Sequence, residues 1–162
     1  MLAPALKRLE VRAAREEDLA AAFALLQFEQ AKNPWVSRIP EMLASSIDDP
    51  ARYYRSCVAI RDGELIGFGI CGMLAGAAGT GMIYSVLVAP RSRRAGIGQR
   101  ILFHMSTELV GLGARVIFAE IPADPSIMRY RALLISHGFM EESRIDDYYR
   151  DGVPQIISRF NP

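Results

Sequence analysis

Residues 86–102 restrict the possible folds of this chain more than any other stretch. Val86-Leu87-Val88 is a β-branched, apolar run that reads as a buried strand. Pro90 ends it, because proline cannot donate to a sheet ladder. Arg91, Arg93 and Arg94 follow, then Gly96-Ile97-Gly98. Beyond them Ile101, Leu102, Met105, Leu109 and Leu112 recur at helical spacing on one face. The order is therefore strand, basic glycine-containing turn, helix. The first N–H groups of such a helix have no acceptor within it, and its dipole adds positive potential at the turn. Gly96 and Gly98, lacking Cβ atoms, leave the backbone open to close approach. The three arginines add cationic donors suited to phosphate oxygens. The combination has the physics of a phosphate cradle; the alternative is an ordinary strand-to-helix turn with solvated arginines.

Two well-known phosphate patterns fail. A P-loop requires Gly-Lys-Ser/Thr, and Gly98 is followed by Gln99-Arg100; a dinucleotide fingerprint requires a third glycine where Ile101 stands. What fits is Arg/Gln-x-x-Gly-x-Gly/Ala, here Arg93-Arg94-Ala95-Gly96-Ile97-Gly98, preceded by Val-x-Pro. This resembles the acetyl-CoA signature of the GNAT N-acetyltransferase superfamily. The resemblance implies acetyl-CoA as cosubstrate, with the pyrophosphate held by backbone N–H groups of the turn. The residues it places around the cofactor are Val86, Leu87 and Val88 on the strand, then Arg93, Arg94, Ala95, Gly96, Ile97, Gly98 and Gln99.

Composition fits one globular domain spanning residues 1–162, with 51% hydrophobic and 23% charged residues. A formal net charge of +1 creates no overall field for nucleic acid or membrane, so any basic function is local. Cys57 and Cys71 lie in apolar runs without metal-type spacing and read as buried free thiols of a reducing, cytoplasmic compartment. His104 and His137 have no companion ligands at metal spacing, so no metal is expected.

Read in order, Leu9–Ala13 alternates as a first strand, and Glu16-Glu17-Asp18 suit a helix start running to about Ala31. Pro40 opens a short second helix to about Ile47. Residues 56–60 and 65–71 are strands joined by a hairpin at Asp62-Gly63. Residues 82–88 feed the central turn and helix. Then come a strand at 116–121, a helix capped by Ser126 and running to about His137, and strands at 140–145 and 155–160 joined by a polar loop. The order β-α-α-β-β-β-α-β-α-β-β is the GNAT order. The expectation is an α/β (α+β) GNAT fold: a mixed, mostly antiparallel sheet of about seven strands flanked by about four helices.

Other matches and mismatches concern the chemistry. Gly138-Phe139 after a helix is similar to the family's second cofactor motif. The loop Asp147-Tyr148-Tyr149-Arg150-Asp151-Gly152 resembles the Tyr-Tyr loop of the branch that acetylates protein N-termini, including ribosomal proteins; there it lines the acceptor site. An amine must be neutral to attack a thioester, and the attack builds an oxyanion that needs a positioned donor. The resemblance places that donor at the N–H of Leu87 or Val88. Glu120, a carboxylate in an otherwise apolar strand, stands where that branch has its general base; the alternative is a strand-end residue facing solvent. The family's usual acid, a tyrosine four residues before Gly-Phe, is here Leu134, and its cofactor-holding asparagine is Ile127. Tyr130, one turn before Leu134, either projects a phenol into the same cleft or packs. Tyr84, Trp35, Tyr148 and Tyr149 are the acceptor-side candidates; a lone Trp also serves packing, and paired tyrosines also occur in plain turns.

Two functions remain: an acetyl-CoA-dependent N-acetyltransferase acting on a peptide N-terminus or small-molecule amine, or a catalytically weak acyl-CoA-binding regulatory module. Neither involves nucleic acid or membrane, and the protein would be a monomer or homodimer.

Overall fold

A computed structural model describes residues 9–30, 37–49 and 53–162. Seven strands form one sheet: β1 (Leu9–Ala13), β2 (Arg55–Arg61), β3 (Glu64–Met73), β4 (Thr80–Val88), β5 (Val116–Pro122), β6 (Met140–Arg150) and β7 (Val153–Phe160). Four α-helices accompany them: α1 (Leu19–Gln30), α2 (Ile39–Asp48), α3 (Ile97–Gly111) and α4 (Met128–His137). The sheet order is β1-β2-β3-β4-β5-β7-β6. Every neighbouring pair is antiparallel except β4–β5, which is parallel. The expected mixed sheet and helix order are both present.

Local chemistry explains the elements. Asp62 and Gly63 both take positive φ, +53° and +80°, which turns the β2–β3 hairpin in two residues with the twist antiparallel strands need. One face of the sheet packs on α1 and α2 through Leu26, Leu43, Val58, Phe68 and Leu87. The other packs on α3 through Ile83, Ile101, Met105, Leu109 and Ile117. Helix α3 lies close on β3 because β3 carries Gly69, where a Cβ would stand 2.6 Å from Ile101 Cγ2 and 2.7 Å from Met105 Sδ. Cys57 and Cys71 are free and buried. Burial pushes the Cys57 thiol up to about 12.

Two features shape the functional end. In β4, Ser85 faces Ile70 and Ile83 faces Cys71, so Tyr84 is the extra residue of a β-bulge. The bulge switches the side-chain parity: Ile83, Val86 and Val88 all face α3, whereas Tyr84 and Leu87 face α1 and α2. The pairing of β4 with β5 stops at Ile83↔Ala119. Beyond it β4 continues beside β3 while β5 continues beside β7, and the sheet splits.

Two expectations are corrected. Ser126 is not an N-cap: it lies inside a 3-10 turn, Pro125–Ile127, and Asp124 caps that turn by accepting from the Ser126 N–H at 2.8 Å. The segment around Tyr148 and Tyr149 is not a free loop. β6 runs through it to Arg150 and reverses at Asp151-Gly152. Ile145 faces Gln155 and Arg150 faces Val153, so residues 146–149 bulge out opposite Pro154 alone. Asp147 holds the bulge at φ +53° and accepts from the Gly152 N–H at 2.7 Å. A hairpin satisfies backbone groups that a free loop would leave to water.

Candidate active site

A cleft of about 680 Å³ opens where β4 and β5 part. One wall is β4, from Tyr84 to Val88, continuing into Ser92, Arg93 and Arg94. The floor is the start of α3, with Gly96, Ile97, Gly98 and Gln99. The opposite wall is Glu120 on β5 with Tyr130 and Leu133 on α4. Of the expected cofactor set only Ala95, an exposed residue at the tip of the turn, is missing from the lining.

The turn is built from backbone. Gly96 caps α3 in the left-handed region at φ +72°, following Arg94 at +64°. The first helical hydrogen bond runs from Arg100 N–H to Gly96 O at 3.2 Å, so the N–H groups of Ile97, Gly98 and Gln99 have no helical acceptor. No atom lies within 4 Å of where a Cβ on Gly96 would be. Gly98 serves differently: its Cβ would meet Leu133 Cδ2 at 3.0 Å, so its small size lets α4 close onto α3 rather than admitting a ligand. The side chain of Ile97 is in the core, leaving only its backbone to the cleft.

The arginines also differ from expectation. Arg93 Nε donates to Val88 O at 2.9 Å, and its Nη2 donates to Glu29 of α1. It braces the turn against β4 and α1 and neutralises Glu29 beside the cradle. Arg91 pairs with Glu64. Arg94 has no ion-pair partner among the described residues and lines the cleft, which makes it the available cation of the three. The Gln99 amide donates to Ser136 Oγ, tying α3 to α4.

The open edge of β4 is readable from one hydrogen bond. Ala89 N–H donates to Ile66 O at 2.8 Å, on the β3 side. Alternation then sends the N–H of Leu87 to β3 and that of Val88 to the edge that β5 has left. Of the two expected backbone donors, Val88 is the one presented to the cleft. The Leu87 side chain is buried on the α1 face.

At the other end of the cleft, Gln155 Nε2 donates to Glu120 Oε2 at 3.0 Å. Burial raises the Tyr149 phenol pKa, and the Gln155 side chain beside it offsets part of that rise. Tyr148 packs edge-on against Tyr149, ring centres 4.9 Å apart. Neither tyrosine lines the cleft itself. Tyr84 does line it and packs edge-on against Tyr54 at 5.2 Å; burial raises the Tyr84 phenol pKa. Trp35 lies outside the described residues. Tyr130 packs against the α3 side of the core and lines the cleft, and its buried hydroxyl has no hydrogen-bond partner among the described residues. Burial raises its pKa, so the phenol keeps its proton. Leu134 is buried and offers no acid.

Sequence reading missed Gln155, Tyr54 and Glu29. A glutamine in the apolar run Val153–Ile157 was a signal of a buried polar contact. Nothing local pointed to Glu29, whose partner is 64 residues away.

The open backbone at Gly96 and the unpaired N–H groups at the start of α3 fit a phosphate-bearing ligand. Similarity to known proteins agrees. The family model described as "Acetyltransferase (GNAT) family" matches residues 11–133. A crystal structure of a protein from Desulfovibrio desulfuricans assigned to the GNAT acetyltransferases superposes with TM-score 0.86 at 22% identity, covering 95% of this chain and 99% of that one. The ribosomal-protein-S18-alanine N-acetyltransferase of Escherichia coli superposes with TM-score 0.75 at 22% identity, covering 95% and 94%. A Salmonella typhimurium structure described as an acetyltransferase with its cofactor acetyl-CoA gives TM-score 0.76 at 18% identity, covering 94% and 93%. No protein of curated function matches the sequence. The chain belongs to the acetyltransferase (GNAT) family, enzymes whose acyl donor is acetyl-CoA.

Proposed function

We propose that the protein acetylates a primary amine by direct transfer, with a peptide N-terminus as the acceptor class ahead of small-molecule amines. The observation that carries the reading is Glu120. Its carboxylate stands in the cleft where β5 leaves β4, held by Gln155, across from the phosphate cradle of α3. The reading takes the chain as one domain over residues 1–162, a monomer or homodimer, working in the cytoplasm, where its two buried thiols stay reduced.

Acetyl-CoA supplies a thioester whose carbonyl carbon an amine can attack. The chain does the rest. The N–H groups at the start of α3 and the Arg94 guanidinium bind phosphate oxygens. The Val88 N–H donates to the carbonyl oxygen as it gains charge. A Glu120 oxygen, directly or through one water, takes the proton that the amine nitrogen gives up as the C–N bond forms. The Tyr130 hydroxyl, protonated and within the cleft wall, gives its proton to the sulfur as the C–S bond breaks. It takes over the acid role that Leu134 cannot fill. Tyr54, Tyr84, Tyr148 and Tyr149 surround the far end with flat apolar faces and single hydroxyls, suited to a peptide backbone.

The experiment is free-thiol release from acetyl-CoA with a panel of short peptides of varied first residue and small primary amines, repeated with Glu120→Gln. Below the amine pKa of ~7.7–8.0 the acceptor arrives protonated and needs a base; above it the amine is already neutral. Glu120→Gln is therefore expected to lower turnover by about 10²-fold at low pH and progressively less above pH ~8, with CoA affinity retained. Absence of turnover with every amine of the panel would favour the acyl-CoA-binding module, and an unchanged pH profile would remove Glu120 from the mechanism.

A further inference from the structure

The Glu120 carboxylate does not stand alone. β5 and β7 pair with Glu120 opposite Ile157 and Pro122 opposite Gln155, so Gln155 is the diagonal neighbour of Glu120 on the same face. Gln155 is 4% exposed, an amide shut between strands where an apolar residue would suit the neighbours Val153 and Ile156. An ionised carboxylate only accepts, so the Gln155 amide nitrogen faces Glu120. Tyr149 stands beside the same side chain, because residues 146–149 bulge from β6. Asp147, bound to the Gly152 N–H, fixes the shape of that bulge. Tyr149 is 37% exposed at the far end of the cleft. A hydrogen bond therefore joins a buried amide on β7 to the carboxylate on β5.

We propose that Gln155 is a positioning residue for acetyl transfer: it aims the Glu120 carboxylate at the acceptor amine. This rests on Glu120 as the proton acceptor. Glu120 is the one exposed residue of β5, where a carboxylate without the amide would swing through several rotamers and present its oxygen to the amine only part of the time. The role explains why a buried position in the β5–β7–β6 sheet carries a glutamine whose amide nitrogen faces Glu120.

The test uses the full chain, acetyl-CoA and whichever panel amine gives the highest turnover. Gln155→Leu removes the amide at similar volume. The expected result is a kcat about tenfold lower below pH 7, with the loss shrinking as pH rises, and an unchanged KM for acetyl-CoA. Combined with Glu120→Gln it is expected to cost nothing further, because the carboxylate it aims is gone. Gln155→Asn, which keeps the amide but shortens its reach, is expected to lie between parent and Gln155→Leu, and it carries the test alone if Gln155→Leu does not fold. A folded Gln155 variant with the parent's kcat at low pH, or one whose loss adds fully to that of Glu120→Gln, overturns the proposal. If Glu120→Gln itself keeps the parent's pH profile, it is the base assignment that fails; if Glu120→Gln alters the profile and the Gln155 variants do not, only the positioning role falls.

Discussion

The two ends of the cleft are built in opposite ways. The cradle end is one continuous piece of chain, from Val88 through the turn to Gln99, and its donors are mostly backbone N–H groups that any helix start possesses. The far end is assembled from Tyr54 before β2, Tyr84 on β4, Glu120 on β5, Tyr149 on β6 and Gln155 on β7, and its chemistry is all side chain. A continuous backbone site tolerates change in the rest of the chain, because its geometry is local. A site drawn from several strands depends on every register between them. The contrast suits an enzyme family that keeps one donor and varies its acceptor.

Gly96→Asp tests the cradle end most severely. The position has open space, so the variant should fold, at about 1–2 kcal/mol for a side chain in the left-handed region. The added carboxylate meets the phosphate oxygens, and a like-charge contact costs several kcal/mol, so CoA affinity should fall by about 100-fold or more in calorimetric titration. Retained affinity in a folded variant would move the cofactor away from the turn. A smaller effect is expected where the cradle borrows from elsewhere. Arg93→Gln and Glu29→Gln, alone and combined, should show a coupling of about 1 kcal/mol in denaturant unfolding, since the pair ties the turn to α1. Zero coupling would mean the turn holds its own shape. The smallest effects belong to the tyrosines of the far end. Tyr149→Phe, which removes a partly exposed phenol hydroxyl, should raise acceptor KM about threefold to tenfold, while Tyr148→Phe, which keeps its ring against Tyr149, should stay near the parent. A rise in acetyl-CoA KM in both, with acceptor KM constant, would assign the pair to the cofactor instead.

The same division separates what is legible in the chain from what is not. Strand, proline, basic turn and helix lie consecutively, so residues 86–102 disclose the cradle from their order alone. The Asp62-Gly63 hairpin and the helix and strand order are legible for the same reason, since turn chemistry and periodicity act over a few residues. The roles of individual side chains inside the cradle are not. Arg93 and Gly98 look like ligand-facing residues in sequence, yet distant partners, Glu29 and Leu133, engage them. Tyr148 and Tyr149 sit in a polar run that reads as a loop, and only the pairing of β6 with β7 makes it a bulged hairpin beside Gln155.

Element order, the strand-turn-helix of the cradle and a lone carboxylate on β5 thus follow from the amino-acid sequence without help from the rest of the fold. Tertiary contacts set everything else. The β-bulge at Tyr84 reset which β4 side chains face α3, and the loss of β4–β5 pairing beyond Ile83 opened the cleft and exposed the Val88 N–H. The register of β7 against β5 put Gln155 diagonal to Glu120. The physical reason is that a backbone donor's direction follows from its own strand or helix, whereas a side chain's partner is chosen by register. A one-residue slip would turn Gln155 to the other face and leave Glu120 without its amide.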